Sequence, residues 1–202
     1  FYNNYNLNIN TLPKKKYLNN VDLIFCPSQC TKKDLIEIYN IDSSKIEVVN
    51  IGIPELKIDS SKKILNINFP YLLYVGYRGK YKNFKNLVIA LGKDKKITED
   101  FKIICFGGGD FTVNELRLFK ENNLSTKNFI HINGDDTQLI ALYKNARAFL
   151  FPSIYEGQGL PQLEAMSFKC PVISSNQDAI VEATGDSAIL FDPLSTDDIL
   201  DK

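Results

Sequence analysis

The chain has 202 residues, with 24 basic and 24 acidic side chains and a formal net charge of +0 at pH 7, so no global attraction to nucleic acid or to an anionic membrane is expected. Hydrophobic residues make up 44% of it, enough for a packed core, yet no stretch approaches the ~18 consecutive apolar residues of a membrane span. Four cysteines, at 26, 30, 105 and 170, and a single histidine, His131, lack the paired short spacings of a zinc site, which points to reduced thiols in a cytosolic setting and to no bound metal.

The sequence begins at Phe1 rather than Met and shows no signal peptide, and it reads as a piece of a longer protein. Residues 1–20, rich in Asn and Tyr, predict a loop with a short helix. Val21 to Ser28 predicts a buried strand ended by Pro27, and Thr31 caps a helix running to Tyr39, with Leu35, Ile36 and Tyr39 at helical spacing. Lys45 to Val49 predicts another strand. The polar, lysine-rich stretch that follows reads as a linker, giving an expected division into residues 1–54, a linker over 55–70, and a main domain over 71–202.

From Tyr71 the pattern becomes regular. Strands are expected at 72–76, 101–106, 128–132, 147–151, 171–174 and 188–191, alternating with helices at 84–91, 113–122, 137–145, after 160 and near 178–183. Asp135 or Asp136 caps the third of these helices. Alternating strands and helices, with strands apolar throughout, predict an α/β fold built on a doubly wound parallel sheet. Such a sheet binds ligands at the carboxyl ends of its strands.

One of those ends is the segment Tyr155-Glu156-Gly157-Gln158-Gly159-Leu160-Pro161-Gln162-Leu163-Glu164. Its two carboxylates, Glu156 and Glu164, flank a turn in which glycines permit close approach to the main chain. Pro161 opens a helix whose first amides can seat a hydroxyl or a phosphate, with Glu164 expected in its first turn. From the residues alone, an ordinary strand-to-helix turn with a dipole-stabilising glutamate explains the segment as well as a ligand site does. The same holds for Gly107-Gly108-Gly109, which reads equally as a flexible turn or as a close approach to a ligand. His131 by itself reads as a structural residue.

The segment resembles the Glu-x7-Glu signature of retaining GT-B glycosyltransferases of the group 1 (family 4) type, and the match continues through Ala165 to Asn176 and on to Phe191-Asp192-Pro193. Across the chain the resemblance spans roughly residues 21–200. It implies the Rossmann-like, donor-binding half of a GT-B fold, preceded in 1–54 by the tail of an acceptor domain. Gly76-Tyr77-Arg78-Gly79-Lys80-Tyr81-Lys82 resembles the loop in which an arginine and a lysine grip the donor diphosphate, roles that fall to Arg78 and Lys82, with Lys80 competing for the second. Gly76, Gly107 and Gly108 are then expected at the donor, and Glu164 on the ribose hydroxyls. Gly157, Gln158, Gly159 and Leu160 are expected to frame the donor, and Glu156 to sit beside its sugar as the catalytic residue. Gln158 departs from the usual phenylalanine, which leaves the identity of the sugar open.

The implied activity is transfer of a hexose, with retention and without a metal or other cofactor, from a GDP- or UDP-linked sugar to a glycan, lipid-linked or protein acceptor in polysaccharide biosynthesis. The implied setting is cytoplasmic, peripheral to a membrane at most. A partner histidine and the acceptor pocket would come from the N-terminal domain of the same protein, so the chain alone is expected to be inactive. A GT-B nucleotide-sugar epimerase and a non-catalytic nucleotide-sugar-binding module are the alternatives. The paired glutamates and the two cations favour the transferase. A receiver-type domain lacks support, because Gly76 is followed by Tyr77 and Arg78 rather than by acidic residues.

Overall fold

A computed structural model describes residues 14–53, 55, 57–62 and 65–202, and these fall into two compact units that divide between Gly52 and Ile53. The N-terminal unit holds two strands, β1 (Ile24–Cys26) and β2 (Ile46–Val48), paired in parallel around helix α1 (Gln29–Tyr39). Residues 14–19 are helical, as expected for part of the first twenty residues; residues 1–13 lie outside the described residues. Cys26, Ile41 and Ile46 form this unit's small core. The helix cap differs from expectation: Ser28, not Thr31, is the N-cap, its hydroxyl accepting the Thr31 amide at 3.1 Å. Asn40, with a left-handed φ of 55°, ends the helix, a conformation asparagine tolerates better than most residues.

The second unit is built on six parallel strands: β3 (Tyr71–Val75), β4 (Lys102–Phe106), β5 (Phe129–Ile132), β6 (Ala148–Phe151), β7 (Val172–Ser175) and β8 (Ile189–Phe191). Their order across the sheet is β5-β4-β3-β6-β7-β8. Helices α2 (Phe84–Lys93), α3 (Lys95–Asp100), α4 (Val113–Glu121), α5 (Asp136–Asn145), α6 (Leu160–Ser167), α7 (Asp178–Thr184) and α8 (Thr196–Asp201) connect and follow them. This is the doubly wound α/β sheet that the sequence predicts.

The central strands β3 and β6 are apolar on both faces because each face of the sheet has its own core. Along β3, Leu72 and Tyr74 join a cluster with Phe84, Val88 and Phe119 from α2 and α4. Tyr71 and Leu73 point the other way, into a cluster with Leu142, Tyr143, Ala165 and Ile180 from α5, α6 and α7. The period of two along an extended chain distributes the residues in this way. None of the four cysteines forms a disulfide, and burial pushes the Cys105 thiol up to about 12, the behaviour of a small core residue.

The stretch expected as a linker lies against the second unit at several points. Leu65 and Ile67 pack on its second core, the Asp59 amide donates to the Thr137 hydroxyl at 3.1 Å, and Lys62 pairs with Asp135. Among the described residues, no helix is long and apolar enough to cross a membrane.

Two topological branches leave β3: chain order proceeds through β4 and β5 on one side, and through β6, β7 and β8 on the other. Between β3 and β6 the connections diverge to opposite sides of the sheet. The carboxyl edge at such a switch point is a crevice open to ligands.

Candidate functional site

Two loops flank that crevice, residues 76–83 after β3 and residues 152–159 after β6. They are joined twice. The Ile154 amide donates to the Tyr81 carbonyl at 2.8 Å, and Lys82 Nζ lies 2.6 Å from Glu156 Oε1. The ion pair is largely shielded, its side chains 16% and 12% exposed. Lys82 also rests over the Tyr81 and Phe151 rings, at 5.4 and 5.3 Å from their centroids. The resemblance assigns the lysine role to Lys82 with Lys80 as its competitor; Lys80 is exposed, while Lys82 turns into the crevice edge against Glu156.

Glu164 lies on α6, the helix that follows the 152–159 loop. The helix begins at Leu160 with Gly159 as its N-cap, so Pro161 takes its second position and Glu164 falls in the second turn, not the first as expected. Its placement therefore owes little to the helix dipole, which acts within the first turn. The Tyr143 hydroxyl from α5 stands 3.2 Å from both Glu164 Oε2 and the Pro161 carbonyl. Burial pushes the Glu164 carboxyl above its ordinary range, Asp136 adds to the effect, and the Tyr143 bond opposes it. A carboxylate short of donors in a shielded place is suited to accept hydroxyl groups from a ligand.

The turn that carries Gln158 is set by packing beneath it. Gly159 has a φ of +80°, and a Cβ there would meet Gln162 Nε2 at 2.7 Å and Phe151 at 3.2 Å. Gln162 is fully buried, accepting from the Ser174 hydroxyl at 2.8 Å while its Nε2 lies 3.4 Å from the Ile180 carbonyl. Gln158 is itself buried, 8% exposed, and Gly157 and Leu160 flank it on the loop and on the first position of α6.

Other expected contacts are arranged differently. Gly76 and Gly107 stand at the ends of β3 and β4, and their amides donate to the Phe106 and Ile132 carbonyls, at 2.8 and 2.9 Å. These amides extend the sheet ladder and are not offered to a ligand. The close approach that Gly108 permits is to the neighbouring loop: a Cβ there would lie 2.5 Å from the Gly76 carbonyl and 3.1 Å from Arg78 Nη1.

Arg78 is buried, 6% exposed, and its guanidinium faces protein. Nε pairs with Glu115 Oε1 at 2.7 Å, Nη1 donates to the Gly107 carbonyl at 3.1 Å, and Nη2 donates to the carbonyls of Gly109 and Asp110 at 2.8 and 3.0 Å. Its carbon lies 4.8 Å from the centroid of Phe111. Burial pushes the Glu115 carboxyl up, but hydrogen bonds from Arg78 and from Thr112 outweigh it and hold the group below its usual range. Glu115 and Thr112 also complete a capping box at the start of α4. Glu115 and Tyr143 were not singled out from the sequence. The Thr112-x-x-Glu115 spacing signals a cap, but no local pattern links Glu115 to Arg78.

His131 on β5 approaches Asp110 with Nδ1 at 2.9 Å, and its buried Nε2 has no partner among the described residues. Among the described residues no group of three or more His, Cys, Asp or Glu side chains is disposed to hold a metal ion.

Comparison with known proteins agrees with the fold. The family model of glycosyl transferases group 1 matches residues 57–202. The chain is 30% identical over 169 residues to the O-antigen chain mannosyltransferase RfbU of Salmonella typhimurium, covering 82% of this chain and 45% of that protein. It is 28% identical over 195 residues to O-antigen chain mannosyltransferase B of Escherichia coli, covering 90% of this chain and 50% of that one. The chain thus spans about half the length of these curated relatives. Among solved structures, a glycosyltransferase from Rickettsia africae superposes with a TM-score of 0.73 at 22% identity, covering 94% of this chain and 55% of that one. Sucrose-phosphate synthase from Thermosynechococcus elongatus gives 0.71 at 23% identity, covering 93% and 49%. Both share the fold.

Proposed function

Because the chain belongs to the group 1 glycosyl transferases, we propose that its second unit is the donor-binding half of a retaining GT-B hexosyltransferase that takes a nucleoside-diphosphate sugar. The observation that carries this reading is the Lys82–Glu156 pair at the β3–β6 switch point. It sets a cation and a carboxylate side by side where a leaving diphosphate and a reacting sugar need opposite charges.

In this reading the C1–oxygen bond of the donor breaks and its electron pair passes to the diphosphate, whose growing negative charge Lys82 stabilises. The sugar ring gains oxocarbenium character, which the Glu156 carboxylate stabilises in a water-poor cleft. The acceptor hydroxyl then bonds to C1 on the face the diphosphate leaves and passes its proton to the departing diphosphate oxygen, giving retention. Glu164 accepts the ribose hydroxyls. Lys82 supplies fixed positive charge at the diphosphate, so no divalent ion is required. Gly157, Gln158, Gly159 and Leu160 border the sugar and diphosphate through the turn into α6.

The names of the two O-antigen relatives support a mannosyl donor, GDP- or UDP-linked, and an acceptor that is a growing glycan, lipid-linked or otherwise, at the cytoplasmic side of a membrane. The acceptor pocket and the group that completes the site belong to an N-terminal domain of the same protein. Calorimetric titration of the chain with GDP-, UDP- and ADP-sugars tests the proposal. Binding of one base class is expected, and no binding of any donor at millimolar concentration would sink it.

A further inference from the structure

Arg78 combines three properties that a phosphate ligand should not have together. Its side chain is 3% exposed, it already carries a carboxylate partner at 2.7 Å, and its remaining hydrogen bonds go to main-chain carbonyls. Nε, one hydrogen of Nη1 and both of Nη2 are accounted for, four of the five N–H groups of a guanidinium. Reaching a diphosphate would require the side chain to abandon three carbonyls and to leave Glu115 shielded without its cation. Breaking such a pair from one side is strongly unfavourable. Gly108 shows that the arrangement is built in, since only a residue without a side chain fits between the Gly76 carbonyl and Arg78 Nη1.

The carbonyls that Arg78 gathers belong to Gly107, Gly109 and Asp110, the loop that leaves β4. Asp110 in turn contacts His131 on β5, and Phe111 lies under the guanidinium and edge-on to the His131 ring at 6.1 Å. Arg78 therefore ties the end of β3 to the ends of β4 and β5. Lys82 is differently placed, with a single carboxylate partner at the switch point.

We infer that Arg78 is a positioning residue that fixes the 107–111 loop, and that the charge of the donor diphosphate is read by Lys82. The inference rests on the donor-site reading above. It changes what each cation contributes: Arg78 shapes the surface against which the nucleoside lies, and Lys82 discriminates a diphosphate from its absence. An arginine is suited to the first task because its planar fork can hold several carbonyls at once, which a lysine cannot do.

Binding of GDP, UDP and ADP and of the three corresponding nucleosides to the 202-residue chain, measured by ligand-observed NMR, separates the roles. For the base that binds, Lys82→Met is expected to weaken the diphosphate by ~10–100-fold and to leave the nucleoside unchanged. Arg78→Met and Arg78→Lys are expected to weaken nucleoside and diphosphate by the same factor, with circular dichroism unchanged. Glu115→Gln, which loosens the clasp while retaining the Arg78 charge, is expected to do the same, and it decides the matter if the Arg78 variants do not fold.

A loss confined to the diphosphate in Arg78→Met and recovered in Arg78→Lys would overturn the inference. So would tighter diphosphate binding in Glu115→Gln, the result of freeing Arg78 for phosphate. Variants that lower only the melting temperature, with both affinities intact, would reduce Arg78 to a purely structural role and also overturn it. A wild-type chain that binds no diphosphate in preference to its nucleoside would instead defeat the donor-site reading itself.

Discussion

Replacing Glu164 by glutamine keeps the side chain's length and shape and removes only its charge. The carboxylate sits one turn into α6 with the Tyr143 hydroxyl at 3.2 Å, and burial raises its pKa in the fold. A carboxyl whose folded pKa exceeds its unfolded one contributes stability that is fully present below the unfolded pKa and is lost as pH rises through the folded pKa. At neutral pH the ionised group is therefore a cost to folding, and Glu164→Gln should preserve or raise the melting temperature. Ligand binding should move the other way. Hydrogen bonds to a charged group contribute about 1.5–3 kcal/mol against about 0.5–1.5 for neutral partners, so weakening the ribose contacts at this partly exposed site costs about 1–2 kcal/mol. That corresponds to a ~5–30-fold rise in Kd. Calorimetric titration with the nucleoside diphosphate and a thermal melt at pH 7 give both numbers. In the wild type, affinity should also fall as pH drops through the raised Glu164 pKa, and in Glu164→Gln that part of the pH dependence should vanish. A lower melting temperature with unchanged affinity would refute the assignment of Glu164 to the ribose.

Three further outcomes follow from the geometry. Gly159→Ala forces a side chain into a φ of +80° and against Gln162 at 2.7 Å; the left-handed conformation costs about 1–2 kcal/mol and disturbing the buried Gln162 amide about 1–3 more, read as a lower midpoint in urea, and an unchanged midpoint would contradict the packing argument. Binding of the nucleoside diphosphate should survive a chelator, and its loss with recovery on adding magnesium or manganese would show that Lys82 does not suffice. Glu156→Gln, placed in a protein that also carries the acceptor domain, should lower kcat far more than nucleotide affinity, whereas equal losses in both would move Glu156 from the sugar to the nucleotide.

The central strands of the second unit were legible because they are buried on both faces and so give unbroken apolar runs, as in Leu72 to Val75 or Ala148 to Phe151. Helices with an apolar stripe, such as α2 with Leu87, Val88 and Leu91, were equally clear. α3 and α8 were not predicted: Lys95–Asp100 and Thr196–Asp201 are six residues each, mostly polar, and their start signals lie in the caps Asp94 and Ser195. Ser28 is hidden as a cap in the sequence because it directly follows Pro27, which ends the preceding strand, and so reads as part of that strand's end. At the site, proximity in sequence showed Glu156 and Glu164, and resemblance supplied roles for Arg78 and Lys82. What no local pattern contains is which acid each cation meets. Lys82 meets Glu156 across 74 positions and Arg78 meets Glu115 across 37, and only the sheet order brings those pairs together. Glycine readings were limited for the same reason, since Gly108 has its role only once the Gly76 carbonyl lies beside it.

Hydrogen–deuterium exchange of the chain with and without the bound nucleoside diphosphate tests most directly whether the β3–β6 switch point holds the donor. Slower exchange is expected in residues 76–83, 107–111 and 153–164 on binding, with the rest of the second unit unchanged. Binding that leaves these three segments unprotected, or that protects only residues elsewhere, would contradict it.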